Sequence, residues 1–166
     1  MEEIASSTTV PEWIMRKKAE NDLTKARAEA ESERLSAASK AIKLGIPDFL
    51  KQLLKELEAN VNGLTLIDYV ATMSAPAGDI RHEQHRRIEI RRKSIIPTST
   101  YTDIYYSESA PYIRCCPLHS KSYRLDFCLS EGIQITLIAE DQTIPMGPER
   151  VAAHIIKKMV SFLERS

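Results

Sequence analysis

The sequence predicts an α+β fold: an antiparallel five-stranded meander with two helices packed on one face, preceded by a long charged N-terminal helix. Three observations predict it. Residues 12–44 contain neither Gly nor Pro and are dense in Ala, Glu, Lys and Arg, all strong helix formers. Apolar residues recur at helical spacing over 47–61 and 148–164. Between about 81 and 139 the apolar period changes to two, the signature of half-buried strands.

The elements follow in order. Residues 1–11 are polar, rich in Ser and Thr, and read as a disordered start. The charged helical arm spans 12–44, with Pro11 suited to its first turn and Gly45 to its end. Its large apolar residues, Trp13, Ile14, Met15, Leu23, Leu35 and Ile42, are too sparse to build a core face. They are also too irregular for a firm heptad, so a coiled coil stays open. The α+β domain is expected over 45–166. Pro47 and Asp48 fit the start of a second helix, whose face is Leu50, Leu53, Leu54, Leu57 and Val61. Lys51, Lys55 and Glu58 lie off that face, and Gly63 fits a C-cap. Residues 64–80, with Pro76 and Gly78, read as a connector.

Five strands are then expected at 84–93, 100–107, 111–116, 122–130 and 132–138. In the fourth, Tyr123, Leu125, Phe127 and Leu129 alternate with Arg124, Asp126, Cys128 and Ser130. In the fifth, Ile133, Ile135 and Leu137 alternate with Gln134 and Thr136, and Glu131-Gly132 makes the tight turn between them. The last helix starts near Pro148. Val151, Ile155, Met159, Phe162 and Leu163 form its apolar stripe, with His154, Lys158, Ser161 and Arg165 opposite.

Composition bounds the function. Lys+Arg and Asp+Glu both number 23 in 166 residues, so no global charge draws the chain to nucleic acid or an anionic membrane. Three cysteines, two of them adjacent, do not make a disulfide framework. The N-terminus has no apolar signal-peptide core, and no apolar run reaches the length of a membrane span. A cytoplasmic protein without membrane contact is expected.

Local signals are few. Residues 81–93 hold six Lys or Arg against two Glu, a pattern that can neutralise phosphate. Yet Ile88 and Ile90 alternate with Arg87, Glu89 and Arg91, which is what a strand with a charged outer face shows. If the alternation holds throughout, Arg87, Arg91, Tyr105, Tyr112, Arg114, Arg124 and Asp126 share the polar face of the sheet. Arg and Tyr are enriched at interfaces, so the first six are the candidate interaction surface.

Cys115, Cys116, His119 and Cys128 invite a zinc reading, but the Cys-x(2–4)-Cys spacing is missing and adjacent strand residues point apart. His82 and His85, three apart, would oppose each other on a strand. No Gly-x-Ser-x-Gly elbow, phosphate loop or dinucleotide turn is present. Asp103, Asp126 and Asp141 have no evident acid–base partner, and a Cys128–His119 nucleophile pair would put the thiol in mid-strand. No metal or cofactor is expected. The expected function is a non-enzymatic interaction module that meets a protein partner, or its own copy, through the N-terminal helix or the polar sheet face. Nucleic-acid binding through strand 81–93, and an enzyme whose site leaves no local signature, are the alternatives.

Overall fold

The computed structural model describes residues 9–94, 96, 98–130, 134–139 and 144–165. The expected disordered start over 1–8, the Glu131-Gly132 turn, Ile133 and Asp141 lie outside these residues, as do the side chains of Gln134 and Ile135. The chain divides into two units, Met1–Ser39 and Lys40–Ser166.

The first unit is helical from Glu12. Ion pairs one turn apart support it: Glu12–Arg16 at 2.6 Å, Lys18–Asp22 at 3.1 Å and Glu31–Arg34 at 2.7 Å. Its large apolar side chains are exposed, Trp13 at 70% and Leu35 at 58%.

The second unit is the α+β domain. Helix α1 runs without interruption from Glu12 to Gly63, so the expected break at Gly45 is absent and Pro47 lies inside the helix. A proline there removes one backbone donor and destabilises a helix interior by about 3 kcal/mol. The burial of Ile46 and Phe49 on either side of it, with Leu50, Leu53, Leu57 and Val61 beyond, offsets that loss. Gly63 ends α1 in the ordinary right-handed region (φ −72°) rather than as a left-handed cap. The left-handed residue is Asp68 (φ 65°), which closes a 3-10 turn over Leu64–Ile67.

Seven antiparallel strands follow, two more than expected: β1 Tyr69–Met73, β2 Ala77–Asp79, β3 Glu83–Arg92, β4 Ser99–Tyr106, β5 Tyr112–Pro117, β6 Tyr123–Ser130 and β7 Gln134–Ala139. Their order is β1-β3-β4-β5-β6-β7, with β2 also pairing with β3. The additions lie in the expected connector. β1 pairs with residues 88–92 of β3 and β2 with 83–85. Together they form one interrupted edge, and Ser74 spans part of the gap: its N–H donates to the Arg87 carbonyl and its Oγ accepts from the Arg87 N–H, both at 2.8 Å. Gly78 (φ 90°) is required in β2, because a Cβ there would come within 2.4 Å of the Glu83 carbonyl oxygen.

One face of the sheet carries Ile88, Ile90, Ile104, Ile113, Cys115, Leu125, Phe127 and Leu137, all buried. The C-terminal part of α1 packs there, with the Phe49 ring edge-on to Phe127 at 5.3 Å. Helix α2 (Pro148–Glu164) packs in the same core through Val151, Ala152, Ile155, Ile156, Met159 and Leu163. Paired backbone bonds between Leu137 and Met146, at 2.8 and 2.9 Å, fix the approach to α2. The opposite face is the polar one.

Candidate functional site

Burial alternates from Arg87 to Arg91 of β3 and along β4, β5 and the first half of β6, which places Arg87, Arg91, Tyr105, Tyr112, Arg114, Arg124 and Asp126 on the outer face together, as their spacing predicts. The register sets them side by side: Arg87 opposite Asp103, Tyr105 opposite Arg114, Arg114 opposite Arg124, and Tyr112 opposite Asp126. Arg87 grips Asp103 with two bonds, Nε donating at 2.8 Å and Nη2 at 3.0 Å. That contact holds the Asp103 carboxyl below the usual carboxylate range and raises the guanidinium further. Arg124 pairs with Asp126 at 3.0 Å, and Arg114 lies 3.7 Å from Glu83.

Each of these guanidiniums also covers a tyrosine ring: Arg87 over Tyr101 at 3.8 Å, Arg114 over Tyr105 at 4.5 Å and Arg124 over Tyr112 at 4.9 Å. His85 stacks on Tyr105 at 5.1 Å and lies 3.6 Å from Asp103. The face is a lattice of internally paired arginines and tyrosines. Arg91, exposed between Val70 and Ser99 in the register, belongs to the same face.

The cysteines and histidines separate. Cys115 faces the core and is fully buried, which pushes its thiol up to about 12. Cys116 faces outward beside Asp103, and Cys128, also outward, shares a 3.1 Å hydrogen bond with Thr136 Oγ1. His119 lies on the loop after β5 and stacks on Phe162 of α2 at 5.2 Å. Among the described residues, no group of three or more His, Cys, Asp or Glu could hold a metal ion. The Cys128–His119 pair is divided by the sheet. His82 closes a turn back to Asp79 at 3.0 Å, apart from the outward-facing His85.

A different set of residues converges. Between the sheet and the last two turns of α2 lies a cavity of about 460 Å³. Its apolar wall is Pro117, Tyr123, Ala139, Met159 and Phe162. Thr100, Thr102, Ser120 and Ser122 supply hydroxyls, and His119, Lys121, Arg124, Lys158 and Arg165 supply nitrogen. The parts come from the start of β4, the β5–β6 loop, the start of β6, the end of β7 and α2. Lys158 Nζ sits over the Tyr123 ring at 4.0 Å, its stem along the wall. Arg165 donates Nε to the Ser161 carbonyl at 3.1 Å. Tyr123 is held protonated above its usual range, by burial first and by Cys115 behind it second.

The sequence left this site unassembled. Tyr123 and Phe162 read there as core residues and Lys158 and Arg165 as the solvent side of α2; His119 is named there only as a possible ligand or base. Nothing in their spacing announces that the β5–β6 loop meets the end of α2. Comparison with family models, with curated proteins and with solved structures gave no match to this chain.

Proposed function

We propose that this chain is a non-catalytic binding module, working in the reducing cytoplasm, whose cavity between α2 and the sheet takes a small molecule. The observation that carries this reading is the cavity itself. Its volume of about 460 Å³ falls in the range of small-molecule sites, and its apolar wall with a few convergent polar groups matches their usual make-up. The groups present suit binding better than chemistry. Cys115, the thiol nearest Tyr123 in the register, is buried and protonated at neutral pH, whereas a nucleophilic cysteine needs an accessible thiolate. Three free thiols accord with a reducing compartment.

A neutral fluorescent probe, N-phenyl-1-naphthylamine, tests it. The expected result is a saturable rise in emission at one site per chain, lost in Ser122→Trp. Ser122 is exposed at the cavity wall, so an indole there fills the space without entering the core. No saturable binding, or equal binding by the variant, overturns the reading.

The outer sheet face favours a second reading, self-association. Arg87, Arg114 and Arg124 are matched by Asp103, Glu83 and Asp126, so like charge does not repel a second copy there, and Arg and Tyr are frequent interface anchors. The same pairing weakens the nucleic-acid alternative, since a phosphate would have to displace a carboxylate already in place.

A further inference from the structure

Resting on the small-molecule reading above, we propose that the cavity selects an amphipathic organic anion: a flat apolar body with one carboxylate, sulfonate or phosphate. The charges around the cavity are one-sided. Lys121, Lys158 and Arg165 reach it from a loop and from α2, and no carboxylate lies among its described lining residues. On the outer sheet face, by contrast, Arg87 is matched by Asp103 and Arg124 by Asp126. Lys121, Lys158 and Arg165 make no ion pair among the described residues, and Arg124 is committed to its outer-face partners. In a chain whose charges balance overall, three cations gathered at one apolar hollow with no carboxylate among the described lining residues form a local positive field.

The available donors fit an anion at the mouth. Arg165 donates Nε to the Ser161 carbonyl, and among the described residues neither Nη group has a hydrogen bond, which suits a forked contact with two oxygens. Ser120 and Ser122 add hydroxyl donors from the same loop as Lys121. The His119 and Phe162 rings are nearly parallel (17°), with His119 exposed, and the Tyr123 ring lies under Lys158. These flat surfaces suit a planar apolar body. A polyanion such as a nucleoside diphosphate fits less well, because Pro117, Tyr123, Ala139, Met159 and Phe162 make an apolar wall.

The test pairs two probes of similar shape that differ in charge: 1-anilinonaphthalene-8-sulfonate and neutral N-phenyl-1-naphthylamine. At low salt the sulfonate should bind about tenfold more tightly, the order expected for two or three partly screened cation contacts. The gap should close at 0.5 M salt, where the screening length falls to about 4 Å. It should also close in the double variant Lys121→Glu/Arg165→Glu, through a loss of sulfonate affinity. Arg114→Glu, on the outer face, should change neither. Equal affinities for the two probes in the intact chain overturn the anion inference and leave the small-molecule reading standing. Binding of neither probe removes both. Loss of sulfonate binding in Arg114→Glu, with the double variant unaffected, overturns the inference by moving the anion to the outer face.

Discussion

Asp103 shows how a residue on the outer face is tied to stability. Its carboxyl accepts two bonds from Arg87 and sits 3.6 Å from His85, so the folded state lowers its pKa from the ordinary 3.8. The sign follows from proton binding. A depressed carboxyl adds stability above its unfolded value, and that stability is lost as pH falls through the folded value. Asp103→Asn should therefore lower stability at neutral pH and flatten the fall in stability below about pH 4, as read by denaturant midpoints against pH. An acid limb as steep as that of the unaltered chain would show that Asp103 does not carry it. Cys115 has the opposite sign: its raised thiol favours the fold below 9.0 and ceases to do so as pH climbs toward about 12. The Asp103 pairing was not legible in the sequence, because it depends on the β3–β4 register. That register places residues sixteen apart opposite one another.

At the level of elements, the alternating strands were the most legible part. Each residue of β6 declares its side: Leu125 and Phe127 are buried, while Arg124 is exposed. Leu125→Ala should then lower stability by about 2–5 kcal/mol, the usual loss for a fully buried leucine. Arg124→Ala should lower it by about 1 kcal/mol or less, since its partner Asp126 is also open to solvent. Similar losses from the two would mean that the strand is out of register by one residue. The helices were legible in composition and periodicity but not in their joints. Gly45 and Pro47 are ordinary helix-stop signals, and here tertiary burial of Ile46 and Phe49 overrides them. The edge strand β1 went unseen although Tyr69, Val70 and Thr72 are good strand formers. Pro76 and Gly78 drew the whole stretch into a connector, whereas Pro76 lies in the interruption between β1 and β2 and Gly78 lies within β2.

For the α+β domain as a whole, two layers fix which surfaces are open and where a hollow can form. An antiparallel sheet covered on one side leaves its outer face to solvent and its inner face to the helices. Where α2 reaches the β5–β6 loop the layers part, and the cavity opens between them. Composition could not reveal this, because balanced charge conceals where cations gather. Lys121 and Arg165 are forty-four residues apart and meet only through the path of the sheet. The outer face, by contrast, could be listed from alternation alone; what the fold added was its internal pairing. Apart from Arg124, which lines the cavity and pairs on the outer face, the two surfaces lie on opposite sides of the sheet, so a single experiment separates them. Backbone amide shifts of the ¹⁵N-labelled full chain, followed by NMR during titration with 1-anilinonaphthalene-8-sulfonate, should move at residues 118–124 and 158–165 and stay fixed at 85–91 and 112–114. Shifts concentrated on Arg87, Arg114 and their neighbours, with the cavity residues unmoved, would contradict the account.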